Sequence, residues 1–135
     1  MQIEGYASRF AEADDGGDII QRGAFLRSLV MRPSGDVKML WQHDPSRPIG
    51  KWTYMREDGE GLFVVGEVLD GVAQGREANE LIRAGVLNGL SIGFKARKAR
   101  RDPRTGCREV LAVDLWEVSL VTFPLLRSAR LQPVL

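Results

Sequence analysis

Turn signals break this chain into short pieces. Asp14-Asp15-Gly16-Gly17, Pro33-Ser34-Gly35, Asp44-Pro45, Asp58-Gly59-Glu60-Gly61, Asp70-Gly71 and Asp102-Pro103-Arg104-Thr105-Gly106 each combine residues that favour tight turns. Between them lie runs rich in Val, Ile, Trp, Tyr and Phe, which read as strands near 2–8, 37–42, 49–56, 61–69, 89–97 and 108–122. The last run is long enough to bend or to serve as two. Two segments read as helices. Gly23 to Val30 sets Ala24, Phe25, Leu29 and Val30 on a short amphipathic turn or two, and Gly75 to Ala84 spaces Ala78, Leu81 and Ile82 three and four apart with Gly85 as a cap. Strands and helices do not alternate, so a doubly wound sheet is excluded. The expectation is a mainly β (α+β) single domain over 1–135, with a closed or nearly closed antiparallel β-barrel core and a few peripheral helices.

The rarest residues restrict the chemistry. One His and one Cys in 135 residues cannot build a four-ligand Cys/His zinc site, and a single Cys forms no internal disulfide. No metal and no cofactor are expected. With 19 basic and 18 acidic residues the net charge is +1, which makes no whole-molecule case for a nucleic-acid or membrane partner. No segment approaches the roughly 20 consecutive apolar residues of a membrane span. The N-terminal residues lack the basic flank and apolar run of a signal peptide, so a cytosolic compartment is the default.

Three segments are candidates for chemistry. Gly89-Leu90-Ser91-Ile92-Gly93 matches G-x-S-x-G, the nucleophile elbow of α/β-hydrolases. That motif needs a helix after the serine, whereas Phe94-Lys95-Ala96-Arg97-Lys98-Ala99 alternates like a strand. The chain order also fails, because the only histidine precedes Ser91. The elbow is rejected, leaving Ser91 as a serine between two glycines in a strand or bend. His43 follows the strand ending at Gln42, with Asp44-Pro45 terminating it. It is either a surface or capping residue, or a general base at the rim of a sheet. Asp44 is adjacent but points to the opposite face in strand geometry, so a more distant acid is the better partner. Glu117 lies in the β-forming run Val113 to Pro124 and is either on the solvent side or buried against a partner. Together the order His, Ser, acid suggests a Ser-His-acid hydrolase.

Four stretches now carry a resemblance. They are Gly5-Tyr6-Ala7-Ser8 with Gly17-Asp18-Ile19-Ile20 and Gly23-Ala24-Phe25; Val37 to Asp44, containing Leu40-Trp41-Gln42-His43, with Pro48-Ile49-Gly50; Gly89 to Phe94; and Trp116 to Thr122 with Pro124. In this order they resemble the prohead proteases of tailed bacteriophages, a capsid-maturation family related in fold to the herpesvirus assembly proteases. The resemblance implies a serine endopeptidase with His43, Ser91 and Glu117 as its triad. Asp114 is the fallback acid, on the opposite face of an unbroken strand unless a bulge intervenes. It also implies action inside the immature capsid in the host cytoplasm on scaffold or the scaffold-like N-terminal part of the major capsid protein, with self-processing. The loop 124–127 is implied as a source of an oxyanion-hole N–H, although Leu125-Leu126-Arg127 departs from the family's small and polar residues. A chain ending at Leu135 is expected to be a trimmed form. The alternative is a non-catalytic barrel that binds scaffold or capsid protein.

Other features carry less. Lys95 to Arg104 holds six basic residues in ten, read as a solvated hairpin tip or as a docking surface for acidic scaffold or capsid. It contains no aromatic residue for a single-strand nucleic-acid platform, so no specific nucleic-acid partner is expected. Cys107 lies beside basic residues but has no second histidine to serve it. Trp41, Trp52 and Trp116 are expected in core or interface packing. A homo-oligomer through a helix is an expectation from the viral relatives alone.

Overall fold

The computed structural model describes residues 1–135. In chain order the elements are β1 (Gln2–Arg9), β2 (Asp18–Ile20), α1 (Leu26–Met31), a 3-10 turn (Ser34–Asp36), β3 (Lys38–Trp41), β4 (Asp44–Glu57), β5 (Gly61–Val68), α2 (Ala73–Arg83), β6 (Gly89–Arg101), β7 (Arg108–Val121) and β8 (Leu131–Pro133). The sheet runs β2-β7-β3-β4-β5-β1-β8, with β6 on β7. It curls until its ends meet. The Leu90 N–H donates to the Ala129 carbonyl at 2.9 Å, the Leu131 N–H donates to Asn88 at 2.9 Å, and Gly89 bridges Arg130. This seam makes the barrel nearly closed. Its ladders are mostly antiparallel, but β2 and β3 run parallel to β7.

One cluster of buried apolar side chains fills the barrel. Ile3, Met39, Trp52, Val64, Leu90 and Leu115 are among its members, and α2 seals it with Ala78 and Ile82. Alternation sorts each strand into a core face and an outer face. On β7 the alternation slips at two places, one of them between Leu115 and Val118, which are both fully buried although three apart. The ladder explains this one, since Gly93 pairs with Glu117 while Phe94 pairs with Leu115, leaving Trp116 as an extra residue.

Both edges of β7 are occupied. One carries β6. The other carries β2, then an N–H of Val113 donating to Ala24, an N–H of Leu115 donating to the buried Ser28 hydroxyl at 2.8 Å, and then β3. Ser28 therefore replaces a strand partner where none passes, which satisfies a buried amide.

Several expected boundaries move. The first helix begins at Leu26 rather than Gly23, because Gly23 has a positive φ of 89° and Glu57 takes the N–H groups of Gly23 and Phe25 at 2.9 and 3.0 Å. Val30, expected on its apolar face, is exposed. The second helix starts two residues earlier than expected and ends one residue earlier, at Arg83, with Gly85 at φ 74° closing onto Ile82. Asp44-Pro45 begins β4 instead of ending the strand before it. β6 reaches Arg101, so most of the basic stretch is strand and the hairpin tip is 102–107. Of the three tryptophans, Trp52 is core, Trp41 is half-buried against it, and Trp116 is exposed at the bulge.

Close approach at the seam requires Gly5, where a Cβ would overlap the Arg130 carbonyl on the way into β8. Gly5→Ala is expected to lower the unfolding free energy by about 1–3 kcal/mol as overpacking does. Gly59→Ala, with open space around it, should change it by less than about 0.5 kcal/mol. Urea denaturation of both variants checks this, and equal midpoints would contradict the assigned seam.

Candidate active site

Three strands bring the site together on the outer face of the barrel. β6 and β7 pair Ser91 with Ser119, and β3 lies parallel on the other edge of β7, pairing Leu40 with Ser119 and Trp41 with Leu120. The chain then reverses into β4 through Gln42 and His43, between the paired Trp41 and Asp44. Both turn residues have positive φ, 51° and 60°. This is the hairpin turn that normally selects Asn-Gly, and here two side-chain-bearing residues hold it.

What holds them is β7. The Gln42 N–H donates to the Leu120 carbonyl at 3.0 Å, and the His43 N–H donates to the Ser119 hydroxyl at 3.0 Å. The Gln42 side-chain amide donates to Thr122 Oγ1 at 2.7 Å and accepts from the Thr122 N–H at 3.2 Å. The turn is thus fastened at four points, and the imidazole is delivered over β7.

The side chains line up. His43 Nδ1 lies 2.6 Å from Glu117 Oε2, and His43 Nε2 lies 2.8 Å from Ser91 Oγ. An ionised carboxylate only accepts, which assigns the ring proton to Nδ1. Nε2 then offers its lone pair to the Ser91 hydroxyl. The other Glu117 oxygen accepts from the Ser119 hydroxyl at 2.7 Å. Ser119 thereby fixes both the carboxylate and the backbone of the histidine. Glu117 is largely buried, with its side chain 14% exposed, while His43 is 42% exposed. Ser91 is buried and opens on a small cavity walled by Ala7, Ile20, Ile92, Leu125 and Leu126.

The two glycines around Ser91 have separate reasons, and neither is a nucleophile elbow. A Cβ on Gly93 would overlap the Glu117 carboxylate, which leans across β6 toward the imidazole. A Cβ on Gly89 would press on Val121 and lie 2.8 Å from Pro124 Cδ, where the loop after β7 folds back.

This arrangement can move a proton from a hydroxyl to an imidazole steadied by a carboxylate, which is the geometry of acyl transfer. All 135 residues match the family model of the caudovirus prohead serine protease. The chain belongs to that family. It is 36% identical over 124 residues to the prohead protease of Enterobacteria phage HK97, covering 90% of this chain and 55% of that relative. The chain thus spans little more than half the length of that curated relative. Among solved structures, the capsid assembly protease of bacteriophage T4 superposes with a TM-score of 0.71 at 17% identity, over 89% of this chain and 80% of the other. KSHV protease, in complex with a hexapeptide phosphonate inhibitor, does so with a TM-score of 0.55 at 12% identity, over 88% and 58%. These two likenesses establish the herpesvirus-protease-like fold.

The remaining candidate residues lie elsewhere. Asp114 does share the outer face with Glu117, contrary to the unbroken-strand expectation, because the Trp116 bulge restores the parity between them. It is nevertheless engaged by Arg32 at 3.5 Å, Arg97 at 3.6 Å and the Trp116 indole N–H at 2.9 Å. Asp44 binds the Ser46 hydroxyl and N–H, which with Arg47 hold its carboxyl below the usual range. Cys107 sits at the β6–β7 hairpin tip. Ser119, Gln42 and Gly93 are the residues that sequence reasoning missed. Ser119 was detectable as the next outward position after Glu117 on a strand, whereas the Gln42 clamp had no local signal.

Because the glycine makes room for the acid, Gly93→Ala should push Glu117 off Nδ1 while the barrel stays folded. Labelling of Ser91 by a serine-directed fluorophosphonate is expected to slow on the order of 10–100-fold, the usual penalty for a misplaced catalytic group. An unchanged labelling rate would sink this role for Gly93.

Proposed function

We propose that the chain is a serine endopeptidase of capsid maturation, with Ser91 as nucleophile, His43 as general base and then acid, and Glu117 as the orienting carboxylate. The observation that carries this reading is the continuous Glu117–His43–Ser91 line at 2.6 and 2.8 Å. Its substrates are the scaffold and the scaffold-like N-terminal part of the major capsid protein, met inside the immature capsid, together with its own chain. Membership in the prohead protease family and the T4 capsid assembly protease fold support it.

The step follows from the geometry. As Ser91 Oγ bonds to the scissile carbonyl carbon, its proton passes to Nε2, and the carbonyl π pair moves onto oxygen. The imidazolium is stabilised by Glu117 through Nδ1–H. When the tetrahedral intermediate collapses, the C–N bond breaks and the Nε2 proton goes to the leaving amine. A water then repeats the sequence on the acyl-enzyme, returning the proton to Ser91.

The oxyanion needs N–H donors that are not already engaged. The backbone N–H groups of Leu125, Leu126, Arg127 and Ser128 make no hydrogen bond within the protein, and Leu125 and Leu126 border the cavity on which Ser91 opens. That loop is the source we assign. Ser119 and Gln42 act as positioning residues, since neither touches the reacting hydroxyl.

Ser91→Ala and His43→Ala should each abolish cleavage of co-expressed capsid and scaffold proteins of the parent particle while leaving the urea midpoint within the range of surface substitutions. Glu117→Ala is expected to retain more activity than either. A fluorophosphonate should label the parent chain on Ser91 and leave Ser91→Ala unmodified. Undiminished capsid processing by Ser91→Ala, or a parent chain inert to the reagent, would refute the protease reading and favour a binding module.

A further inference from the structure

The outer face that carries the triad continues along the β6–β7 ribbon into a groove. Its walls are the ribbon and α1, with Arg27, Met31, Arg32, Arg97, Lys98 and Asp114 lining it. Lys95 pairs with Asp114 and is exposed, four residues along β6 from Ser91 and so roughly 13 Å away at the ordinary strand rise. The Trp116 bulge places Asp114 and Glu117 on the same face, so the groove and the triad share one continuous surface.

Charge there is only partly neutralised. Arg32 and Arg97 are taken up by Asp114, and Arg100 by Glu109 at 2.7 Å. Arg27, Lys95 and Lys98 form no ion pair. Beside these cations stand uncovered apolar side chains: Val30 is 81% exposed, Met31 74% and Trp116 53%. The Arg32 guanidinium lies 5.7 Å from the Trp116 ring centroid.

We propose that this groove is a docking site for an acidic, leucine-bearing segment of the polypeptide substrate, on the triad's face but away from the bond cleaved. This rests on the protease reading above. A peptide can set carboxylates against Arg27, Lys95 and Lys98 while its apolar residues cover Met31 and Trp116, and both kinds of exposed group are then used. A nucleic acid would leave Val30 and Met31 uncovered, whereas a peptide with apolar side chains covers them. The site would raise the effective concentration of the scissile segment at Ser91 without contacting it.

The test uses the full chain with Ser91→Ala and a fluorescein-labelled peptide of repeated Glu-Glu-Leu, followed by anisotropy. Saturable binding that weakens with added salt is expected. Combining Arg27→Glu, Lys95→Glu and Lys98→Glu should weaken it about tenfold or more. With Ser91 present, the same triple variant should keep the parent rate of fluorophosphonate labelling, which also shows that it folds. No saturable binding, an affinity unmoved by the triple variant, or tighter binding of labelled oligothymidylate would each overturn the docking site. A chain labelled at Ser91 that ignores the peptide refutes docking alone. A chain never labelled at Ser91 refutes the protease reading and, with it, the assignment of this groove to a substrate.

Discussion

The parallel pairing of β3 with β7 is the contact on which the site depends. It sets Trp41 against Leu120, so the following turn lies beside this stretch of β7, where the His43 N–H reaches the Ser119 hydroxyl and the ring reaches Glu117. On the opposite edge, the antiparallel ladder sets Ser91 against Ser119. Ser119 is therefore the common reference point of the serine and the histidine. Its own hydroxyl accepts from the His43 N–H and donates to Glu117, so one buried group ties the backbone of His43 to the carboxylate that meets its ring. A buried hydroxyl with both partners supplied rigidifies its surroundings rather than straining them.

Positive φ at two consecutive residues with side chains costs conformational energy, on the order of 1–3 kcal/mol for each such residue. The Gln42 and His43 contacts to β7 offset that cost locally. A more relaxed Asn-Gly turn would make the hairpin without them, but it would carry no imidazole. The glycines of Gly89-Leu90-Ser91-Ile92-Gly93 follow the same logic. They are needed where the Val121–Pro124 loop and the Glu117 carboxylate press against β6, and the backbone around Ser91 stays an ordinary strand. A pentapeptide that resembles a nucleophile elbow here has its spacing set by neighbours on β7.

This explains what could be read from the residues and what could not. The long strands, α2 with its Gly85 cap, and the barrel class follow from local patterning: β-rich runs between turn signals and one apolar stripe at helical spacing. His43, Ser91 and Glu117 were nameable because their flanking motifs resemble a family, and they do lie in line. β2 and β8 were not visible, since Asp18-Ile19-Ile20 and Leu131-Gln132-Pro133 are too short to show alternation and exist only because β7 and β1 offer edges. The start of α1 depends on Glu57, distant in sequence, taking two N–H groups. The Gln42–His43 turn likewise lacks the glycine that usually announces such a hairpin. Each of these features is created by a tertiary partner rather than by its own residues.

The bulge at Trp116 is the clearest case, because one inserted residue changes the meaning of everything beyond it. In an unbroken strand Asp114 and Glu117 face opposite ways, and the ribbon that carries Lys95 and Lys98 would present another face beside the triad. With the bulge, core residues Leu115 and Val118 stay inside, while Asp114, Trp116 and Glu117 all emerge outside. Asp114 can then be neutralised by Arg32 and Arg97 instead of competing for the imidazole, which leaves Glu117 alone on His43. The same extra residue exposes the indole beside α1 and lines up the basic groove with Ser91. The pairing of Glu117 rather than Asp114 with His43, and the placing of the basic ribbon on the same face as Ser91, are thus two consequences of one inserted residue in β7.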